Sequence, residues 1–425
     1  MGGGWNRGVG AVTYAAFNLD GLPKLCGSGH VKNLARMLKK QGDDLTLRNL
    51  WLSSWVLSLS MFGDALLYVI LPINAEAFGV SMAMVGFLLA VNRIIRIFAY
   101  GLILRIGEIV GMRSLCIFAA VTAALSSLGY VVMDHTSGLI GARMLWGLSY
   151  AALLLVTLAY ATQNKAKTGS RVGISRSVEQ VGPLLAMTVG VWLAGIVGPR
   201  DVFIYMAIGS MVGIPLAMML RAEDVPPPPN VDKKHKAAGL GSRPNALDLL
   251  IFWMGAGIDG VFTISITLIW ANHVSVQAAI VIGGFILAAR RLGEMIVAPI
   301  AGKISDRFGV RRPLLIGALM TIAGFAAIGF GFLIAGCVAI VLARGALGTL
   351  FPAAASSFQS DQALDAMARN QTWRDIGAAV GPLATGFAIT IVNPQSLHIG
   401  VAVIFALFLV NLLMSKRWQA MPNPA

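Results

Sequence analysis

The sequence predicts an all-α membrane protein with twelve transmembrane helices arranged as two pseudo-symmetric six-helix halves. Three observations support this fold class. The 425-residue chain is 57% hydrophobic and only 12% charged, apolar stretches of about 18 residues or more recur along it, and its two halves repeat the same residues in the same order. About 20 apolar residues span the ~30 Å hydrocarbon core as a helix, so each stretch is a candidate crossing.

Each predicted helix is one of these apolar stretches. In the first half they cover about 50–72, 81–104, 115–133, 139–162, 175–196 and 201–220, and in the second half about 246–270, 277–299, 313–334, 336–357, 373–393 and 398–415. Between the halves, four consecutive prolines and a basic run indicate an extended linker. The chain therefore divides into an amino-terminal extension (1–48), a first half (49–220), a linker (221–245), a second half (246–415) and a tail (416–425).

The basic residues indicate the topology. Of the 33 Lys and Arg, 24 fall in loops and ends on one side of this map, eight lie within helices, and only Arg200 lies on the other side. This is the positive-inside pattern with both termini in the cytoplasm. The net charge of +14 therefore reflects membrane topology and not a nucleic-acid partner. We expect a monomeric multi-pass protein in the lipid bilayer of a bacterial inner membrane.

Two further features of composition are less informative. Cys26, Cys116 and Cys337 are scattered without metal-ligand spacing, so neither a metal nor a cofactor is predicted. The first 48 residues carry no clear signal peptide. We expect translation to begin at Met37, which an intact mass that includes the preceding residues would contradict.

The two halves share five short segments at nearly constant spacing, which is typical of transporters built from internal repeats. The offset between corresponding segments varies only from 195 to 201 residues. The pairs are FGDA at 62–65 with GIDG at 257–260, VGFLLAVNR at 85–93 with GGFILAARR at 283–291, EIVGMRS at 108–114 with DRFGVRR at 306–312, RMLWG at 143–147 with RGALG at 344–348, and VGPL at 181–184 with VGPL at 380–383.

On these motifs the chain resembles the major facilitator superfamily over roughly residues 48–415. GKISDRFGVRR (302–312) matches the family's loop motif Gly-x-x-x-Asp-Arg-x-Gly-x-Arg-Arg after helix 8, and the Arg-x-x-x-Gly of helices 4 and 10 looks like its helix-4 motif. The resemblance implies alternating access by rocking of the halves, around a cavity lined by helices 1, 4, 7 and 10. The Gly-Pro of helix 5 resembles part of a motif of proton-coupled antiporters, although the Gly-Gly that follows in the family is absent here.

Two acid–arginine pairs are predicted inside the membrane, where an unpaired charge is costly. Asp64 and Arg143 lie ~13 and ~7 Å from the outer ends of helices 1 and 4, and Asp259 and Arg344 lie ~18 and ~12 Å deep in helices 7 and 10, at 1.5 Å per residue. We expect these four residues to bind the substrate or the coupling proton, because a carboxylate beside an arginine can alternate between ion pair and protonated acid. The alternative is a static salt bridge in each half.

Other intramembrane charges are secondary candidates for the cavity. The arginines among them could attract an anionic substrate or could neutralise acidic residues on neighbouring helices. Arg176 and Glu179 are spaced to pair on one face of helix 5. The candidates are Arg93, Arg291, Glu294, Arg176 and Glu179.

The loops after helices 2 and 8 are expected to gate the cytoplasmic side. Asp306 can pair with Arg307 or Arg311, or can meet the positive amino end of helix 5 from the other half. The first-half counterpart keeps the acid but loses two arginines, so we expect an asymmetric contact. The gating residues are Gly302, Asp306, Arg307, Gly309, Arg311 and Arg312 after helix 8, and Glu108 and Arg113 after helix 2.

Gly182–Pro183 in helix 5 and Gly381–Pro382 in helix 11 are expected to be flexing points, because proline removes a backbone hydrogen bond and glycine permits bending. The alternative is tight packing against the other half.

The sequence favours a transporter over an enzyme. All five histidines are expected in loops or tails, and no nucleophile elbow or P-loop is present. We therefore expect secondary active transport of a small molecule or ion, with proton-coupled export favoured. One alternative is a porter of metal ions such as iron, with Asp64 and Asp259 converging on the cation. Another is a non-transporting sensor or assembly protein on the same scaffold.

Overall fold

Twelve long helical rods account for most of the chain in this computed structural model, which describes residues 28–221, 244–359 and 362–421. The first 27 residues, most of the linker and the last four residues of the tail lie outside the described part. No strand occurs in the described residues. The predicted all-α fold class is confirmed.

The first half contains α1 to α6. Their bounds are Ser28–Ser60 continued by Phe62–Ile70 for α1, Met82–Val110 for α2, Met112–Val132 for α3, Thr136–Thr162 for α4, Thr168–Glu179 with Val181–Leu185, Ala186–Gly190 and Val191–Val197 for α5, and Val202–Met211 with Gly213–Met218 for α6. Two short 3₁₀ turns, Ala75–Phe78 and Lys165–Lys167, precede α2 and α5.

The second half contains α7 to α12. Their bounds are Ala246–Met254 with Gly255–Phe262 and Thr263–Ala271 for α7, Val276–Phe308 for α8, Arg311–Gly329 for α9, Leu333–Phe358 for α10, Ala363–Ala388 for α11 and Pro394–Met414 for α12. A single turn, α13 (Lys416–Gln419), follows. Two segments, Ala186–Gly190 in α5 and Gly255–Phe262 in α7, have π-helical geometry.

Nine helices of the described part are long and apolar enough to cross a membrane, and Val202–Met218 is a shorter apolar helix. The two long helices that fall outside this set are α8 and α11. Both carry several charged residues that line the space between the halves. The lower hydropathy of α8 and α11 therefore reflects the charged residues that face the space between the halves.

Several helices begin earlier than hydropathy predicts, among them α1 at Ser28 where about 50 was predicted, and two of them do so with polar first turns. The structure starts α5 at Thr168 and α11 at Ala363, whereas the predicted starts were 175 and 373. These first turns are polar and are stabilised by contacts that hydropathy does not detect. In α11, for example, Arg369 forms an ion pair with Asp248 of α7 at 2.8 Å.

The two halves pack closely where α5 meets α8. A Cβ added to Gly302 of α8 would overlap the carbonyl oxygen of Gly169 in α5, and one added to Gly173 would overlap that of Ala298. Small residues let helix backbones approach in this way.

The second packing contact between the halves joins α2 to α11. Arg93 of α2 donates to the Ala378 carbonyl of α11 at 2.5 Å. At the first contact, Ser177 of α5 donates to the Met295 carbonyl of α8 at 2.6 Å. Ser177 and Met295 lie in the part of the bundle nearer the loop between α8 and α9, which joins residues 308 and 311, whereas Arg93 and Ala378 lie near the middle of their helices. The halves close at that end.

The Gly-Pro positions pack within their own halves. A Cβ on Gly182 would overlap the Ser58 carbonyl of α1, and the Gly182 N–H donates to the Ser58 hydroxyl at 2.8 Å. A Cβ on Gly381 would likewise overlap the Ala256 carbonyl of α7. Packing of these glycines against the other half, the alternative considered above, is therefore wrong. Their role as flexing points, with Pro183 and Pro382, stays a prediction.

Replacing Gly182 with alanine should lower the stability of the folded protein by about 1–3 kcal/mol, because the added methyl group forces α5 away from α1. The measurement is the thermal unfolding midpoint of the purified protein in detergent. Gly195→Ala, also in α5, is the matched control because a Cβ there has nothing within 4 Å. Equal midpoints for the two variants would contradict the packing argument.

Candidate functional site

A cavity of about 540 Å³ lies between the two halves. Helices of both halves line it, and charged side chains dominate its polar surface. Among the described residues, seven arginines and five carboxylates line it: Arg93, Arg96, Arg176, Arg290, Arg291, Arg344 and Arg374, with Asp64, Glu179, Asp259, Glu294 and Asp375. An interior this charged is costly in a membrane protein and marks a candidate site.

The first-half pair is present, but only one of its members reaches the cavity. Asp64 of α1 is in an ion pair with Arg143 of α4 and accepts from the Asn92 amide at 3.2 Å. Arg143 is fully buried behind Asp64, where its Nε donates to the Leu88 carbonyl at 2.9 Å. Asp64 therefore faces the cavity, and Arg143 acts on it from behind.

The second-half carboxylate has a closer partner than the predicted one. Asp259 lies 3.1 Å from Arg290 of α8, and 3.8 Å from both Arg344 of α10 and Arg374 of α11. Arg344 also lies 3.7 Å from Glu294. One aspartate is thus shared by three guanidinium groups from three helices.

Asp259 owes its position to local backbone geometry. It lies in the π-helical segment of α7, a wider turn that is frequent at functional sites. The hydroxyl of Thr263 donates to the carbonyl five residues back, that of Ile258, at 2.9 Å. The same hydroxyl accepts from Arg290 at 3.1 Å. The Thr263 hydroxyl therefore links the wide turn of α7 to Arg290, the arginine that binds Asp259.

The secondary candidates fall into two groups. Arg176 and Glu179 pair along α5 at 2.8 Å, and Glu179 also accepts from the Tyr150 hydroxyl at 3.0 Å. Glu294 and Arg291 of α8 both contact Gln180 of α5: the Gln180 amide donates to Glu294 at 3.1 Å and accepts from Arg291 at 2.9 Å. Gln180 is a cavity residue that sequence reasoning missed, because an uncharged side chain gave no signal.

An ion pair between the halves was also missed. Arg96 of α2 lies 3.0 Å from Asp375 of α11, and the Tyr100 hydroxyl donates to the same carboxylate at 2.8 Å. Arg96 also stacks over the Tyr150 ring, 4.5 Å from its centre. The partners of this pair are 279 positions apart. Their charges were visible in the sequence, but nothing in the repeat connects α2 to α11.

The gating loop makes one of the three contacts considered for it. The Asp306 carboxylate accepts from the backbone N–H groups of Gly169 and Ser170, each at 2.8 Å, at the amino end of α5. An acid at this position interacts favourably with the helix dipole. Arg307 and Arg311 instead stack over the rings of Phe308 and Trp418.

The loop after α2 shares the backbone geometry of the gating loop. Gly309 and its counterpart Gly111 both have positive φ, +76° and +82°, where glycine is favoured. Arg113 of this loop donates to the Met218 carbonyl of its own half at 2.9 Å.

Neutralising Asp306 by Asn should impair transport more than neutralising Glu108 by Gln. The first change removes the charge from two hydrogen bonds between the halves, and the loop of Glu108 has Ile109 and Ser114 where the gating loop has Arg307 and Arg312. Turnover in proteoliposomes, at matched protein incorporation, measures the difference. The reverse order would contradict the assignment.

One histidine corrects the sequence map. His398 was expected in a loop or tail, but it is fully buried in α12, where its Nδ1 lies 2.7 Å from the Pro394 carbonyl. The expectation was wrong because α12 starts at Pro394, four residues earlier than predicted. His398 is not among the residues that line the cavity.

The charged cavity suits a transported solute better than a metal ion. In the described part of the chain, no group of three or more His, Cys, Asp or Glu side chains is placed to hold a metal. The carboxylates contact arginines instead, and these contacts span both halves. Such a site can hold a polar solute and exchange a proton.

Comparison with known proteins agrees with this architecture. The family model "Major Facilitator Superfamily" matches residues 54–289 and 249–424. No curated protein sequence matches the chain closely enough to count as a relative.

Three solved structures are similar in fold. The human organic anion transporter MFSD10 (TETRAN) has a TM-score of 0.70 at 13% identity, over 86% of this chain and 99% of that one. The proton:xylose symporter XylE has 0.68 at 16%, over 90% and 97%. The E. coli fucose:proton symporter FucP has 0.66 at 12%, over 86% and 98%.

At these identities the likeness concerns the fold. The family model, however, spans both repeats, and the cavity lies where the two repeats meet. On this evidence the chain belongs to the Major Facilitator Superfamily and is an integral, multi-pass membrane transporter.

Proposed function

We propose that this protein is a proton-coupled secondary transporter that moves a small solute by alternating access, with export as its direction. The observation that carries the proposal is the cavity between the halves, lined by charges from both and closed at one end by hydrogen bonds between them. Rocking of one half against the other would break these bonds and expose the cavity to the opposite side.

The positive-inside pattern gives the orientation within this proposal. Both termini and the loop between α8 and α9 lie in the cytoplasm. The closed end is then cytoplasmic, and the cavity faces the other side of a bacterial inner membrane. The protein acts as a monomer, because the cavity is built within one chain.

Asp64 is the proton carrier in this proposal. Its side chain is 12% exposed and lines the cavity, while its partner Arg143 is fully buried. Protonation would neutralise the carboxylate and free the guanidinium for another acceptor, so proton uptake and conformational change are coupled through one ion pair.

Export as the direction of transport rests on the partial Gly182–Pro183 motif. Two of the similar structures are those of proton symporters, a likeness that favours proton coupling without favouring export.

The metal-ion alternative finds little support, because Asp64 and Asp259 are each held by arginine. A cation would have to displace these guanidinium groups. The same paired charges on the cavity wall weigh against a purely structural or sensory role.

Electron–electron distance measurements between spin labels test the proposal without a known substrate. One label pair, at Ala166 and Lys303, reports on the closed end. The other, at Asp201 and Gln277, reports on the opposite end; all four residues are exposed. In lipid nanodiscs, lowering the pH from 8 to 5 should change the two distance distributions in opposite directions.

Asp64→Asn should abolish this pH response, because the side chain can no longer take up a proton. Asp134→Asn is the matched control, since Asp134 forms an exposed ion pair with Arg200 at 2.6 Å outside the cavity. Distances that do not respond to pH in the unmodified protein, or a response that survives in the Asp64 variant, would contradict the proton-coupling assignment.

A further inference from the structure

Two arginines at equivalent positions of the repeat line the cavity without an acidic partner. Arg93 on α2 and Arg291 on α8 correspond at an offset of 198 residues, and both are partly buried. Arg93 donates to the Ala378 carbonyl at 2.5 Å and Arg291 to the Gln180 amide oxygen at 2.9 Å. Both acceptors are neutral. Within the described part of the chain, neither guanidinium lies within 4.0 Å of a carboxylate.

The remaining charges of the cavity do not offset these two arginines. Seven arginines and five carboxylates line the wall. One of these carboxylates, Asp64, is already paired with Arg143 behind the wall, and another, Asp259, is shared by three arginines. The site therefore has a positive surplus. Buried positive charge in a poorly hydrated interior is unfavourable unless an anion accompanies it.

The chemistry of arginine defines the group that fits. A guanidinium presents a planar fork of donors that matches the two oxygens of a carboxylate or phosphate. Apolar side chains complete the wall, so the cavity also offers a surface for an organic body: Met61, Ile251, Met254, Leu287 and Phe351. A volume of about 540 Å³ lies within the range typical of small-molecule sites.

We propose that the cavity binds a small organic anion, whose carboxylate or phosphate group accepts hydrogen bonds from Arg93 and Arg291. This inference rests on the proposed transport function and names its substrate class. The symmetry of the two arginines matters, because each half then contributes one ligand. A single anion can then bind both halves at once and can dissociate when the halves move apart.

A series of benzene derivatives that differ mainly in charge tests the substrate class. The probes are benzoate, phenyl phosphate, neutral benzamide and cationic benzylammonium, with inorganic phosphate as the anion that lacks an organic body. Each is titrated against the thermal unfolding midpoint of the purified protein, since a ligand that binds the folded state raises it. Benzoate or phenyl phosphate should raise the midpoint, and benzamide and benzylammonium should not.

The two organic anions distinguish carboxylate from phosphate recognition. Arg93→Gln and Arg291→Gln should each weaken the binding of the stabilising anion by roughly 10- to 100-fold, the loss expected for a charge-assisted hydrogen bond. Arg417→Gln, in the turn after α12, is the matched control and should leave it unchanged. The midpoints without ligand show whether each variant is folded.

Three results would overturn the inference: stabilisation by benzamide or benzylammonium, no stabilisation by either organic anion, or undiminished anion binding in both cavity variants. An equal effect of inorganic phosphate alone would also count against an organic substrate.

Flux measurements separate this inference from the transport proposal. Proteoliposomes are loaded with each probe, and protein-free liposomes correct for passive leak. Anion binding without protein-dependent flux would contradict transport while leaving the anion site in place. Protein-dependent flux of benzylammonium would leave transport in place and contradict the anion site.

Discussion

Asp375→Asn should shift the conformational equilibrium away from the state closed at the end near the loop between α8 and α9. In that state the Asp375 carboxylate lies 3.0 Å from Arg96 across the interface of the halves and accepts from Tyr100. Removing one partner of a buried ion pair costs about 3–5 kcal/mol. When the halves separate, water can solvate Arg96, so opening relieves most of this cost.

A loss of about 3 kcal/mol from the closed state corresponds to a roughly 100-fold change in the ratio of the two states. The measurement is the distance distribution of labels at Ala166 and Lys303, which should move from short to long distances. Glu179→Gln is the control, because Glu179 pairs with Arg176 of its own helix, and this local pair does not depend on the separation of the halves. An unchanged distribution in the Asp375 variant would show that this ion pair does not hold the closed end.

Asp259→Asn should be the most destabilising single replacement in the cavity. Asp259 lies within 3.8 Å of Arg290, Arg344 and Arg374, with a side chain only 8% exposed. The variant leaves three neighbouring guanidinium groups without their shared counter-charge. We expect a loss of about 3–5 kcal/mol of stability, the range for breaking a buried pair, measured as a drop in the thermal unfolding midpoint.

The matched comparison removes positive charge from the same cluster. Arg290→Gln leaves Asp259 with two arginines, so its cost should be smaller. Combined with Asp259→Asn, it should restore part of the lost stability, because fewer uncompensated cations remain. Strictly additive effects in the double variant would contradict the shared-charge account, since neighbouring residues are expected to couple.

The fold was largely predictable because a bilayer restricts the options to a few. Hydrophobic length, the positive-inside rule and the repeat each constrain the same architecture. Helix starts were less predictable where polar first turns are stabilised by distant residues, as Asp306 stabilises the start of α5. Hydropathy measures a local average and does not register such partners.

The residues of the site were easier to predict from the sequence than the contacts between them. The depths of Asp64 and Arg143 along their helices predicted that the two residues pair, and the structure contains this ion pair. Depth alone did not reveal that Arg290 is closer to Asp259 than Arg344 is, because depth along a helix does not specify which neighbouring helix a side chain faces. The pair between Arg96 and Asp375 depends on contact between the halves, and a single sequence holds no record of that contact.

The glycines between α5 and α8 have a consequence for how the closed end can evolve. Every substitution at Gly169 or Gly302 adds atoms where two backbones already touch, so neither position tolerates drift, whatever solute the cavity accepts. Apolar side chains of the cavity wall such as Met61 and Leu287 border the cavity and can change in size without forcing two backbones apart. Specificity can therefore diversify in this protein while the contact between α5 and α8 stays fixed, and the sites of innovation and of constraint lie on the same helices.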